Sequence, residues 1–136
     1  MSATQGEHTF EDDLLVSGEE LRSYNAASDL VRGEPVGLSG TLEVDSSGAG
    51  EGNFIGVNMY DVASGEEASV AGDDCEVRVP VSEAVSAGDE LLPDGAGNFE
   101  TVATSAGSAG VAIAQDSGGS GDYVLAYIFA VQGATA

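Results

Sequence analysis

The side chains best suited to catalysis are scarce in this chain, which has one histidine and one cysteine in 136 residues. His8 has no second His or Cys near it in the sequence that could complete a zinc site. Cys75 directly follows Asp73 and Asp74, and negative charges beside a thiol disfavour the reactive thiolate. We therefore predict that His8 is a solvated surface residue and that Cys75 is a buried structural residue.

Serine nucleophiles, phosphate loops and paired carboxylates receive no better support. The chain has no Gly-x-Ser-x-Gly elbow, and its glycine-rich turns lack the Lys of a P-loop. Acidic residues are so frequent that close pairs arise by chance, so they do not argue for glycoside hydrolysis. The least implausible cation site is a calcium site at 116–122 or at Asp73 and Asp74, but neither has EF-hand spacing. We expect no enzymatic activity, no catalytic residue, no metal and no cofactor.

The chain is strongly acidic, with three Arg and no Lys against 24 Asp and Glu and a formal net charge of -21. This balance excludes a nucleic-acid partner, because no basic stripe can displace phosphate counterions, and it disfavours an anionic membrane. Concentrated salt would screen the repulsion, which favours a halophilic source; an acidic protein with a cationic partner is the alternative. Because the sequence has no signal peptide and no apolar run of membrane length, we expect the protein to be made in a cytoplasm and either kept there or carried within a particle assembled there.

The first 24 residues differ in amino-acid composition from the rest of the chain. Acidic residues surround a few isolated apolar ones, so the segment cannot bury a core of its own. We predict an N-terminal arm over 1–24, ordered against a partner, and a single β domain over 25–136. A short helix over 19–27, with Ser17 as its N-cap, is the local alternative. The candidate partner-contact residues of this arm are Phe10, Leu14, Leu15 and Val16.

From about residue 30 the sequence consists of short apolar runs separated by Gly, Ser and Asp clusters, without a sustained helical stripe. This pattern predicts an all-β domain, in the form of a small β-barrel or sandwich. The predicted strands cover 35–38, 41–44, 54–62, 68–71, 75–79, 90–93, 99–101, 109–114 and 123–131.

Two parts of the sequence echo each other. Gly33-Glu34-Pro35-Val36 resembles Gly88-Asp89-Glu90-Leu91, 55 positions later, and Ile55-Gly56-Val57 resembles Ala109-Gly110-Val111, 54 positions later. A β unit of this size is too small to bury its own apolar face. We therefore predict a body built from two related halves that fold onto each other.

The predicted last strand is apolar on both faces. One face carries Tyr123, Leu125, Tyr127, Phe129 and Val131, which alternate with small or aliphatic residues on the other face. A strand of this kind must be covered on each side. One face can meet the core, and the other can meet either a neighbouring subunit or the rest of a thick core. Tyr123, Tyr127 and Phe129 are thus candidate core or subunit-interface residues.

A series of short motifs runs in order through residues 30–130. The series is Gly33-Glu34-Pro35-Val36, Phe54-Ile55-Gly56-Val57, Ser64-Gly65-Glu66-Glu67, Cys75-Glu76-Val77-Arg78-Val79-Pro80-Val81, Val85-Ser86-Ala87-Gly88-Asp89-Glu90-Leu91-Leu92, Asp94-Gly95-Ala96-Gly97-Asn98-Phe99 and Ala109-Gly110-Val111-Ala112-Ile113-Ala114. In this order the motifs resemble the head decoration, or capsid cement, proteins of tailed viruses, including the haloarchaeal virus type.

The resemblance implies a small β domain, usually a homotrimer, on the outer surface of an expanded icosahedral virus head. There it would hold neighbouring major capsid proteins together. The resemblance also implies an N-terminal arm that adds to a capsid strand, a role that residues 1–24 would suit. This chain departs from the usual members in its longer acidic N-terminus and its lack of Lys. The alternatives are a carbohydrate- or cell-surface-binding β module of a virion or halophile, and a small hydrolase or isomerase on a β-barrel.

Overall fold

A computed structural model describes residues 15–18, 21–50, 53–103 and 109–130. Every regular element within these residues is a β-strand, and none of them forms a helix long and apolar enough to span a bilayer. The eleven strands are β1 (Leu15–Ser17), β2 (Leu21–Ala26), β3 (Pro35–Gly40), β4 (Glu43–Ser46), β5 (Phe54–Asn58), β6 (Glu67–Ala71), β7 (Glu76–Pro80), β8 (Glu90–Pro93), β9 (Phe99–Thr101), β10 (Ala112–Ala114) and β11 (Tyr123–Ile128).

Five strands close into a first barrel in the order β2-β4-β3-β5-β6. β2 runs parallel to β4, with Ala26 opposite Val44, and all other neighbours are antiparallel. Side chains leave alternate faces of a strand, so every second residue can point into the barrel. The core of the first barrel consists of Ala26, Leu30, Val36, Val44, Ile55, Ala68 and Val70.

The other six strands form a sheet in the order β1-β7-β11-β10-β8-β9, in which all neighbours are antiparallel. Just beyond β7, Val81 makes a parallel bridge to Phe99 of β9. This bridge joins the two ends of the run β7-β11-β10-β8-β9. We call these five strands the second barrel, because they follow the same circuit as the first.

Strand pairing shows that the two barrels are copies of one topology. The parallel pair of Ala26 and Val44 in the first barrel corresponds to Val81 and Phe99 in the second, and both partners lie 55 positions later. The order of antiparallel neighbours is also the same, with β7 to β11 taking the places of β2 to β6. The predicted architecture of two related halves is therefore confirmed.

Turns that precede equivalent strands repeat as well. The N–H of Val31 donates to Glu34 Oε1 at 2.7 Å, and the N–H of Ser86 donates to Asp89 Oδ2 at 2.9 Å. In each turn an acidic side chain accepts a hydrogen bond from the backbone N–H three residues earlier, which pairs a donor that the turn would otherwise leave without a backbone partner. The repeat therefore extends from strand order to individual hydrogen bonds.

From β5 onward the offset between the copies becomes 56 positions. Pro35 lies opposite Val57 in the first barrel, and Glu90 lies opposite Ile113 in the second. The structural counterpart of Val57 is therefore Ile113 rather than Val111, so the sequence echo at 54 positions was two residues out of register. Gly-Val pairs recur in this chain, and strand pairing rather than local composition sets the register.

β5 connects the two cores. All five of its residues are buried, with Ile55 in the first core and Phe54 and Val57 in the second. The barrels thus share apolar contacts along this strand. The second core contains Phe54, Val57, Met59, Ala71, Cys75, Val77, Val79, Val81, Val85, Leu91, Leu92, Phe99, Val111, Ala112, Ala114, Val124, Ala126 and Ile128.

All nine strands predicted from the sequence are present, although several differ at their ends. Two strands were not predicted: β1 lies in the segment interpreted as an arm, and β2 begins in that segment and ends at Ala26. The predicted boundary after residue 24 falls inside β2, which pairs with β6 from Leu21 to Asn25, and the alternative helix over 19–27 is wrong. β2 was missed because its partner strand is more than 40 residues away in sequence and its first residues are exposed.

Candidate interaction surface

β11 separates the core from the surface of the second barrel. Val124, Ala126 and Ile128 point inward and are buried, whereas Tyr123 is 42% exposed and the side chains of Leu125 and Tyr127 are half-buried. Phe129 follows the strand and is 40% exposed. The three aromatic residues selected from the sequence therefore lie outside both cores, and their role in a subunit interface stays a prediction.

Strand register brings further side chains to the outer side of β11, since residues directly opposite each other in an antiparallel pair share a face. Leu125 lies opposite Arg78 of β7, and Tyr127 lies between Glu76 of β7 and Ile113 of β10. We call the surface formed by Tyr123, Leu125, Tyr127, Ile113, Arg78 and Glu76 the outer face.

The first barrel provides an internal control for the outer face. The residues of β6 that correspond to Tyr123 and Leu125 are Glu67 and Ser69, which are exposed and half-buried, respectively. The barrel topology alone therefore does not require large apolar side chains at these positions. Aromatic residues and Arg are enriched in protein interfaces, so the composition of the outer face is typical of a contact surface.

Tyr127 is held in place at one end of the outer face. Its hydroxyl donates a short hydrogen bond to the carboxylate of Asp74. This bond, followed by burial and the charges of Asp74, Asp73 and Glu76, raises the pKa of Tyr127 above its ordinary value of 10.0. The ring is therefore uncharged at neutral pH and has a fixed orientation.

Tyr123 lies at the junction of the two barrels. Its hydroxyl is 3.4 Å from the carbonyl oxygen of Arg32, to which it donates. Gly33 has φ +90°, and a Cβ built on it would lie 3.0 Å from both the Tyr123 ring and Pro80 Cδ. The turn before β3 thus packs closely against the aromatic ring, which fixes one side of the outer face relative to the first barrel.

Glu76 links the outer face to the edge strand β1. Its Oε1 accepts from Ser17 Oγ at 3.0 Å, and its Oε2 accepts from Gln115 Nε2 at 3.0 Å. β1 pairs with β7 at this same point, with Ser17 opposite Glu76. The carboxylate therefore ties three segments together and is engaged in structural contacts.

Two of the acidic residues considered for calcium accept hydrogen bonds from backbone N–H groups. Asp116 Oδ1 accepts from Leu125 N at 2.9 Å, and Asp122 Oδ2 accepts from Gly119 N at 2.8 Å. Within the described residues, no group of three or more His, Cys, Asp or Glu side chains is arranged to hold a metal ion. Cys75 is buried, as predicted, whereas His8 lies outside the part of the chain that the structure describes.

The predicted arm residues fall into two groups. Phe10 and Leu14 lie outside the described residues. Leu15 and Val16 lie on β1, whose backbone pairs with β7 of the same chain. Their contact with a capsid stays a prediction, but the backbone of β1 is already engaged on its β7 side.

Sequence reasoning selected two tyrosines of the outer face and missed the other members. Ile113 and Arg78 join them only through the pairing of β11 with β10 and β7. Alternation along the predicted last strand placed Leu125 on the same face as Tyr123, but Leu125 was not selected as an interface residue. The contributions of Ile113 and Arg78 depend on long-range register, which no local signal reports.

No protein-family model and no curated protein sequence matches this chain. Its fold is similar to the crystal structure of the head fiber gp8.5 N base of bacteriophage phi29, with a TM-score of 0.63 and 16% sequence identity. The likeness covers 85% of this chain and 94% of the phage chain. At this level of identity the comparison establishes a shared fold across most of both chains.

Proposed function

We propose that this protein is a capsid decoration, or cement, protein that binds the outer surface of an expanded icosahedral head of a tailed virus. The observation that carries the proposal is the fold likeness to a phage head fiber base over 85% of the chain. The ordered motif series between residues 30 and 130 supports the same class of protein independently of the fold. Virions would be assembled in the host cytoplasm, with the protein exposed on the capsid exterior.

The proposed mechanism is mechanical. A head filled with nucleic acid is under outward pressure, and a protein that bridges neighbouring major capsid proteins stabilises the lattice on which its contacts are complete. A ligand that binds only one state of an assembly stabilises that state by mass action. Selective binding to the expanded lattice would therefore resist both bursting and reversal of expansion.

The protein would act as a homotrimer, with the outer face as the subunit contact. Trimerisation raises the effective concentration of each capsid-binding surface, so a modest affinity per subunit is enough. The outer face supports this assignment because Tyr123 and Leu125 are replaced by Glu67 and Ser69 on the equivalent strand of the first barrel. Leu125→Asp should reduce the mass in solution from three times 13.6 kDa toward that of one chain. Ser69→Asp, at the equivalent position of the first barrel, is the matched control and should leave the mass unchanged.

Binding to capsids is tested directly with expanded and unexpanded heads that lack the protein. We expect stoichiometric decoration of expanded heads, no decoration of unexpanded ones, and a higher temperature of capsid disruption after decoration. Binding of purified protein to a glycan array, with no binding to either head form, would favour the carbohydrate-binding alternative and refute the cement function.

A further inference from the structure

The two barrels differ at one strand edge, although their topology is the same. In the second barrel, β1 pairs with the first residues of β7, Glu76 and Val77. The equivalent residues of β2, 55 positions earlier, are Leu21 and Arg22. In the described part of the chain, β2 pairs with β6 on one side and only from Asn25 onward with β4 on the other. The start of β2 therefore has one open edge where the start of β7 has a strand.

Backbone groups of β2 point toward this open edge. The N–H of Asn25 donates at 2.8 Å to the segment that leads into β4, and the N–H of Ala26 donates at 2.9 Å to the β6 side. Donors alternate between the two edges along a strand. The N–H groups of Leu21 and Ser23 therefore face the open edge, as an incoming strand would require.

The side chains at the start of β2 are also more exposed than the equivalent side chains at the start of β7. Leu21 is 43% exposed and Arg22 is exposed, whereas their counterparts Glu76 and Val77 are half-buried and fully buried. An unpaired edge is a template for β-augmentation, in which backbone hydrogen bonds supply affinity and side chains supply selectivity. The pairing of β1 with β7 shows that this topology accepts a short antiparallel strand at this position.

We propose that the open edge of β2 binds an extended strand from residues 1–14 of a second copy of this protein. The proposal concerns self-association and does not rest on the proposed capsid function. It gives the N-terminal segment a destination other than a capsid strand. By analogy with β1 and β7, the incoming strand would run antiparallel to β2 and pair at Leu21 and Ser23.

Chain direction and length favour a second copy over the same chain. From Ser17 back to Leu15, β1 runs toward the carboxyl end of β7, away from the link that leads into Leu21. A return to β2 within one chain would need a complete reversal. Fourteen extended residues reach roughly 45 Å, which is enough to cross to a neighbouring subunit.

The test is amide hydrogen exchange at Leu21 and Ser23, measured on the full chain over a series of concentrations. We expect exchange at both amides to be at least about tenfold slower at high concentration than at high dilution, because the added hydrogen bonds form between copies. Tyr24, whose N–H faces β6, is the internal control and should be protected throughout. Protection of Ser23 that does not change on dilution would show pairing within one chain and would overturn the proposal, as would fast exchange at every concentration.

Mixing two variants shows which chain supplies the N-terminal strand and which chain supplies the edge of β2. The first variant is an isotopically labelled chain that lacks residues 1–14, so it has the open edge of β2 but no N-terminal strand to insert. The second is unlabelled full-length Ser23→Pro, which has the N-terminal strand but whose own edge is blocked by proline. We expect fast exchange at Ser23 of the labelled chain alone and slow exchange after the mixing. Absence of recovery, with Tyr24 still protected in the labelled chain, would refute the exchange of segments between copies. If the labelled chain does not fold, a dilution series on Ser23→Ala, which keeps the N–H, must still show concentration-dependent protection.

Discussion

Phe54 and Phe99 meet edge to face, with ring centroids 6.0 Å apart and ring planes inclined at 82°. Phe54 lies on β5 of the first barrel and Phe99 on β9 of the second, and both are fully buried. This geometry is the one that aromatic quadrupoles favour. The contact therefore involves both barrels and joins them into one body.

Substitution of Phe99 should destabilise the whole described fold. Phe99→Ala removes the aromatic contact and opens a cavity in the shared core, and core Phe-to-Ala changes cost about 3–5 kcal/mol. The structurally equivalent change in the first barrel, Val44→Ala, removes two methyl groups and should cost roughly 1.5–3 kcal/mol. Urea unfolding followed by circular dichroism measures both. An equal or smaller loss for Phe99→Ala would contradict its role in joining the barrels.

Gly56 should tolerate no side chain. A Cβ at this position would lie 2.3 Å from the carbonyl oxygen of Ala71 and 2.6 Å from Val70 Cγ1, and a backbone oxygen cannot move without distorting β6. Gly56→Ala should therefore cost about 1–3 kcal/mol through overpacking. At Gly48 a Cβ would meet nothing within 4 Å, so Gly48→Ala should change the stability by less than about 0.5 kcal/mol. Thermal unfolding of the two variants would contradict the close approach at Gly56 if their midpoints were the same.

The acidic turns before β3 and β8 allow a comparison of burial at equivalent positions. Glu34 is 8% exposed and accepts from both Val31 N and Ser46 Oγ, whereas Asp89 is half-buried and the hydrogen bond that its side chain accepts from Ser86 N is exposed. Loss of an acceptor that leaves buried donors unpaired costs about 1–3 kcal/mol, and an exposed turn bond contributes about 0.5–1.5 kcal/mol. Glu34→Ala should thus be more destabilising than Asp89→Ala in denaturant titrations. The reverse order would show that burial does not decide the strength of these turns.

Local signals were sufficient for most strands of this protein. β8 and β9 were predicted with their observed limits, since turn residues such as Asp94 and Gly95 separate two short apolar runs. The two-half architecture was also predictable, because Glu34 and Asp89 occupy the same turn in each copy. Alternation and turn chemistry are properties of neighbouring residues, which a sequence displays directly.

Pairing between distant strands was not predictable in the same way. β2 has an exposed first half, and its strand character comes from pairing with β6. The outer face likewise depends on the opposition of Leu125 to Arg78, which are 47 positions apart. Register of this kind is determined by the packing of a complete sheet, so a short strand with exposed polar residues resembles an arm in the sequence.

Tyr127 should show a raised pKa that depends on Asp74. The hydrogen bond from its hydroxyl to Asp74 raises the pKa in the folded state above the ordinary 10.0. This bond therefore stabilises the fold at every pH below about 10, and the contribution is lost as the pH rises from there through the folded-state pKa. In a spectroscopic titration of tyrosinate, Tyr127→Phe should remove the highest-pH step, and Asp74→Asn should move it to lower pH. Tyr123→Phe is the control and should leave that step in place; its disappearance there would contradict the assignment.

Salt should stabilise the folded protein through screening of its negative charge. The net charge of -21 is concentrated in the compact state, and raising the ionic strength from 0.01 M to 1 M shortens the Debye length from about 30 Å to about 3 Å. We therefore expect the midpoint temperature of unfolding at pH 7 to rise steeply when NaCl is first added and to rise more slowly at higher NaCl concentrations. The control is the same series near pH 4, close to the sequence pI of about 4.1, where little net charge remains to be screened. A salt response of equal size at both pH values would show that NaCl acts through apolar burial instead, and it would remove the electrostatic argument for a saline environment.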